Sequence, residues 1–170
     1  MSQVYVIMGV SGCGKTAVGQ ALAAALDAPF YDGDDFHPPE NVAKMASGVP
    51  LNDEDRHPWL ISLHDLLAKH LARNESAVLA CSALKTKYRD RLRQGNDGVK
   101  FVYLDGDFDT IWPRISARSG HYMKADLLQS QFEALEPPDA DEALILSVAQ
   151  PVDAILAQIL RASQNEIAEK

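Results

Sequence analysis

The chain has 170 residues, 46% of them hydrophobic and 24% charged, which suits one domain (residues 1–170) with a real hydrophobic core. Its formal net charge of −8 argues against a nucleic-acid or anionic-membrane surface, since both want a basic face; a local cluster of Lys and Arg can still hold an anion. Cys13 and Cys81 lie in no metal-ligand spacing, and no apolar run forms a signal peptide or approaches the roughly 18 residues of a membrane helix, so a soluble cytoplasmic protein is expected.

In chain order, Val4–Met8 is apolar on both faces and rich in β-branched residues, as in a buried parallel strand. It runs into a glycine loop and then a helix over Thr16–Leu26. A short strand over 29–31 ends at Asp32, Gly33 and Asp34, and Pro38 and Pro39 open a short helix. Pro58 is expected to open a longer helix through Leu71, with Leu60, Leu63, Leu67 and Leu71 on one face. Strands are predicted over 77–81, 100–104 and 144–148, and helices over 86–93, 110–118, 124–135 and 152–162. The polar residues 163–170 are expected to fray. Strands alternating with helices predict an α/β fold with a five-stranded parallel sheet covered on both faces.

The strongest signal is the loop from Gly9 through Val10, Ser11, Gly12, Cys13, Gly14 and Lys15 to Thr16, which satisfies G-x-x-x-x-G-K-[ST] between a strand and a helix. Glycines let the backbone curl so that successive N–H groups face phosphate oxygens, and the following helix adds its positive end. Lys15 is predicted to reach the β- and γ-phosphates of ATP, and the Thr16 hydroxyl to ligate Mg²⁺. Cys13 reads as a small filler whose backbone N–H carries the contact, with a redox-sensitive thiol as the alternative.

Two Asp-Gly-Asp triplets compete to supply the carboxylates, one at 32–34 and one at 105–107, both at strand carboxyl ends. Dense polar stretches come after the first, over 34–38 and 52–56. A helix comes directly after the second, so Asp107 or Asp109 could simply cap it. The first pair is therefore preferred for catalysis. Lys85 and Arg89 sit one helical turn apart after the third strand, and Arg114 and Arg118 share a face at i, i+4. Trp59 and Trp112 read as packing residues.

Several stretches taken together are similar to gluconate kinase: MGVSGCGKT at 8–16, DGDDFHP at 32–38, KMASG at 44–48, PLNDEDR at 50–56 with Pro58 and Trp59, CSALK at 81–85 with Tyr88 and Arg89, and RSGHY at 118–122. They stand in the family's order and span most of the chain, with Cys13 where a serine is common. The resemblance implies the three-layer P-loop kinase fold shared with shikimate and nucleoside monophosphate kinases, with a mobile lid at roughly 119–136. It implies ATP-dependent phosphorylation of D-gluconate at its terminal hydroxyl, and a homodimer.

A gluconate pocket needs cations for the carboxylate, polar groups for the polyol and a carboxylate at the reacting hydroxyl. Asp34 is assigned to orient or deprotonate that hydroxyl and Asp32 to organise Mg²⁺ through water, with the two roles exchangeable. Arg56 resembles a substrate-binding arginine that clamps a carboxylate or neutralises the transferring phosphate. His37, Lys44, Lys85 and Arg89 are the further candidates for substrate contact, and Arg114, Arg118 and Gln150 for phosphate or adenine. A kinase for another small anion, of the shikimate or adenylylsulfate kind, and a nucleotide-dependent regulatory module are the alternatives.

Overall fold

The structure, a computed structural model, describes residues 2–117 and 125–170. Five strands form one sheet in the order β2-β3-β1-β4-β5: β1 (Val4–Met8), β2 (Phe30–Asp32), β3 (Ala77–Ala80), β4 (Val99–Asp105) and β5 (Ala143–Ser147). Every pairing is parallel, with Val4 opposite Ala77 on one side of β1 and opposite Val99 on the other. The chain crosses over through α1 (Lys15–Ala25), α2 (Pro39–Ala46), α3 (Asp53–Ala72), α4 (Thr86–Arg93), α5 (Phe108–Ser116), α6 (Ala125–Ala134) and α7 (Val152–Ala168).

The two-residue period of β1 explains the layers. Tyr5 and Ile7 point into a core with Val18 and Leu22 of α1, Ile111 and Ile115 of α5, Leu128 of α6, and Ile155 and Ile159 of α7. Val4, Val6 and Met8 point the other way, against Trp59, Leu60, Leu63 and Leu67 of α3 and Tyr88 and Leu92 of α4. A strand apolar on both faces is thus buried on both faces, each large side chain contributing roughly 1.5–3 kcal/mol.

Two boundaries differ from the sequence reading by more than two residues. Helix α3 starts at Asp53, before Pro58, because Asn52 and Asp55 form a capping box: the Asn52 side chain accepts from Asp55 N–H, and the Asp55 carboxylate accepts from Asn52 N–H. Pro58 lies inside the helix, where it removes one backbone bond. Helix α7 does not fray at residue 163 but continues to Ala168, with Ser163 buried and Glu166 paired to Lys100 at 2.5 Å.

This order sets the loops after β2, β3 and β1 side by side at the carboxyl edge of the sheet. They carry residues 33–38, 81–85 and 9–14, which are the stretches singled out by their chemistry.

Candidate active site

The glycine loop closes tightly. Gly12 has φ +78, and a Cβ there would lie 2.4 Å from Ile115 Cγ1, so α5 packs where any side chain would stand. Lys15 Nζ folds along the inside of the loop and donates to Gly9 O at 3.0 Å and Val10 O at 2.9 Å. Thr16 is exposed in the first turn of α1, where the loop meets the helix. Cys13 is buried, and burial raises its thiol pKa although Lys15 and Arg114 pull it down. It is a protonated filler at neutral pH, not a reactive thiolate.

Across the edge, Asp32 ends β2 and caps a short 3₁₀ turn over Gly33–Phe36, its carboxylate accepting from Asp34 N–H at 2.9 Å. The turn is pinned from below. Trp59 Nε1 donates to Gly33 O at 2.7 Å, and a Cβ on Gly33 would meet Ala80 O at 2.8 Å. Trp59 is therefore a packing residue, as its sequence suggests, that also sets the height of the acidic turn. Asp34 keeps an open face, yet the protein atoms around it strip water from its carboxylate. That desolvation, and then the charge of Asp32, raise its pKa, while Lys15 pulls it down. No hydrogen bond to the Asp34 carboxylate is formed among the described residues.

The cations fall into groups. Arg56 donates from Nη1 to Leu51 O at 2.9 Å and to Tyr88 Oη at 3.2 Å, with its guanidinium 5.4 Å from the Tyr88 ring centroid. The Tyr88 hydroxyl in turn donates to Asp53 at 2.5 Å, and Lys85 stands 3.5 Å from the same carboxylate. Lys87, which no sequence motif marks, also pairs with Asp53. Hydrogen bonds from Lys87 and Tyr88 hold Asp53 well below the usual carboxylate range. Lys44 pairs with Asp55 at 2.6 Å and so serves the start of α3. His37 stacks on Trp59, ring centroids 4.4 Å apart, and meets Asn41 Nδ2 through its Nδ1 at 3.3 Å. Burial and the nearby Arg56 charge push its pKa down to about 4, so at neutral pH it is an uncharged group.

Arg89 does not stand on an open helix face beside Lys85, as its helical spacing suggests, but is buried. Its side chain is 0% exposed and all five of its N–H donors are engaged. Nε donates to Glu142 at 2.6 Å, Nη1 to Ala83 O and Leu84 O, and Nη2 to Thr86 Oγ1 and Glu136 O. It straps the segment before β5 to the turn that presents Lys85. Ala83 in that turn has φ +44, an unfavourable backbone for a residue with a Cβ. The guanidinium on its carbonyl helps to hold it there.

Arg114 donates from Nη2 to Val148 O at 2.6 Å, tying α5 to the end of β5. Gln150 donates to Ser147 O and exchanges hydrogen bonds with Gln158 of α7. Arg118 and residues 119–124 lie outside the described residues. A cleft of about 340 Å³ opens between the ends of β4 and β5, lined by Asp105, Asp107, Thr110 and Ser147 among others. A larger cleft of about 540 Å³ lies between α3 and α4; none of its lining residues belongs to the glycine loop or the acidic turn, so the phosphate chemistry is not there.

Gln131 of α6 has no signal in the sequence. Its carboxamide meets both polar groups of Ser11, accepting from the backbone N–H at 2.8 Å and donating to the hydroxyl at 3.0 Å.

Known proteins with this arrangement can be compared directly. Residues 11–162 match the family model for shikimate kinase. The chain is 48% identical over 159 residues to the thermoresistant gluconokinase of Escherichia coli K12, covering 92% of this chain and 91% of that one. It is 46% identical over 172 residues to the thermosensitive gluconokinase of the same strain, covering 98% and 92%. A crystal structure of a gluconokinase from Sinorhizobium meliloti 1021 superposes with a TM-score of 0.86 at 42% identity, covering 99% of this chain and 97% of that one.

Proposed function

The chain belongs to the gluconokinase family, and from that premise we propose that it transfers the terminal phosphoryl group of ATP to the terminal hydroxyl of D-gluconate. The products are 6-phosphogluconate and ADP. The observation that carries the reading is the placement of Lys15 in the glycine loop and Asp34 in the acidic turn at one edge of the sheet, with the Asp34 pKa raised by desolvation and pulled down by Lys15.

In the proposed reaction the hydroxyl oxygen attacks the γ-phosphorus, the bond to the β–γ bridging oxygen breaks, and the hydroxyl proton passes to Asp34. Raising the pKa of Asp34 suits that proton transfer. Lys15 and the loop N–H groups neutralise the phosphates, which is most of what phosphoryl transfer requires. Arg56, whose Nε and Nη2 make no hydrogen bond among the described residues, and Lys85 receive the gluconate carboxylate. Arg114 and Arg118 serve the nucleotide.

The Thr16 hydroxyl and Asp32, whose second carboxylate oxygen is not used by the 3₁₀ turn, fit a Mg²⁺ ion that keeps its water and phosphate ligands. Among the described residues no group of three or more His, Cys, Asp or Glu is placed to hold an ion, in keeping with a site built partly from the nucleotide. When bound, Mg²⁺ supplies charge neutralisation at the β- and γ-oxygens.

The reading takes residues 1–170 as one kinase domain with a lid at roughly 119–136, working as a homodimer in the cytoplasm. No described helix is long and apolar enough to cross a membrane. A coupled ADP-release assay with Mg·ATP tests the activity. D-gluconate should stimulate turnover, with 6-phosphogluconate as product, and shikimate, adenylylsulfate and nucleoside monophosphates should not. Stimulation by another acceptor would overturn the substrate, and silence with every acceptor would overturn the kinase reading.

A further inference from the structure

Ser11 and Gln131 are 120 residues apart in sequence and joined by two reciprocal hydrogen bonds. The pairing is directional. A backbone N–H can only donate, so it fixes Oε1 of the carboxamide toward it and leaves Nε2 to face the Ser11 hydroxyl. Because Nε2 occupies the hydroxyl as an acceptor, the hydroxyl proton must turn away from Gln131 and is left to donate elsewhere. The rest of α6 is held by apolar contacts, with Leu128 fully buried and Phe132 against Phe108 at 6.2 Å between centroids. Gln131 is thus the side chain through which α6 makes hydrogen bonds to the glycine loop.

Ser11 also has a definite place along the phosphate chain. The Lys15 ammonium, which reaches the β- and γ-phosphates in such loops, rests on the carbonyls of Gly9 and Val10, the two residues just before Ser11. Ser11 thus follows directly the two carbonyls on which the Lys15 ammonium rests, four residues before the helix start at Lys15.

We propose that Gln131 is a positioning residue that acts through Ser11, holding its N–H in place and turning its hydroxyl into a donor for the terminal phosphate of the nucleotide. A neutral carboxamide does this without setting a negative charge beside the triphosphate. Glutamate at the same position could still accept from Ser11 N–H but could not donate to the hydroxyl, and would add that charge.

The inference rests on the kinase reading, so the test uses equilibrium binding of Mg·ATP and Mg·ADP by calorimetry, which needs no acceptor. Gln131→Glu should weaken ATP about tenfold and ADP by no more than about threefold, and Gln131→Met should show the same bias more weakly. The KM for gluconate should stay unchanged in both. Ser11→Ala should itself weaken ATP more than ADP, and adding Gln131→Met to it should weaken ATP little further. Equal losses for ATP and ADP, or a full additional loss in the Ser11→Ala background, would overturn the proposal and leave Gln131 as a structural tie. Should the Glu variant fail to fold, Ser11→Ala alone decides: it must weaken ATP more than ADP. Failure of the kinase reading would show separately, as wild-type protein that binds both nucleotides but gives no gluconate-stimulated ADP.

Discussion

The chain uses the triplet Asp-Gly-Asp twice, at the ends of β2 and β4, and the two copies end up in opposite surroundings. In both, the glycine is forced by close packing: a Cβ on Gly33 would meet Ala80 O at 2.8 Å, and one on Gly106 would meet Val148 Cγ2 at 2.3 Å. The difference lies in what each carboxylate finds. Asp107 caps α5, accepting from Thr110 N–H at 2.8 Å, and its hydrogen bonds with Thr110 lower its pKa. Asp105 accepts from the Tyr103 hydroxyl at 3.3 Å. In the first triplet Asp32 takes the capping duty, and Asp34 meets no hydrogen-bond donor among the described residues while its pKa rises. A carboxylate already satisfied by the fold has nothing to offer a substrate. One left open to solvent and raised in pKa remains available to a substrate.

The largest effect should come from Asp34→Asn, which lowers gluconate-dependent kcat by about 10²–10⁴-fold while the Kd for ATP stays unchanged. Because the Asp34 pKa is raised, its ionised form weighs against the folded state above that pKa, so the variant should also melt slightly higher at neutral pH. Near-full kcat would remove Asp34 from the mechanism. Arg89 extends the comparison to cations, since all its donors are engaged. Arg89→Ala should destabilise the protein in a denaturant titration, by about 1–3 kcal/mol for each buried carbonyl left unpaired among those of Ala83, Leu84 and Glu136, while Glu142 keeps Arg93. Arg89→Lys should also destabilise, without raising the gluconate KM; a stable variant with a raised KM would return Arg89 to the substrate site.

Glu142 gives a pH signature of the same strap. Burial pushes its pKa up, but Arg89 and Arg93 more than offset this and leave it lowered. A lowered carboxyl contributes stability that is complete above its ordinary value of about 4.3 and is lost as pH falls through the folded value. Acid titration of stability should therefore be steeper in the wild type than in Glu142→Gln, and superimposable curves would count against the strap. The smallest effect belongs to Asp107→Ala, which should lower the Tm modestly through the lost cap and leave kcat within about twofold.

The local devices are legible in the sequence because their parts are adjacent in the chain. The glycine loop, β1 and the α4 boundaries can be read in place, and the two Asp-Gly-Asp turns can be ranked by the segments downstream of them. Contacts across the sheet cannot. Arg89 looks like a surface cation on its own helix, and only the fold brings Glu136 and Glu142, 47 and 53 residues away, onto its guanidinium. Gln131 has no charge and no motif, and its partner is 120 residues distant. The start of α3 is visible in principle: Asn52 with Asp55 three residues later resembles a capping box, but the acidic run around it also reads as a pocket and Pro58 as a helix start. The end of α7 is hidden because its polar residues have no apolar period, and its tie to Lys100 comes from another element.

The central claim is that the open carboxylate of the first triplet, Asp34, serves as the base. It is tested most directly by the pH profile of gluconate-dependent kcat/KM in wild type, Asp34→Asn and Asp107→Asn. The account predicts an acid limb in the wild type above the ordinary aspartate value of about 3.9, kept in Asp107→Asn and lost from the residual activity of Asp34→Asn. An acid limb unchanged in Asp34→Asn, or one that moves with Asp107 instead, would contradict it.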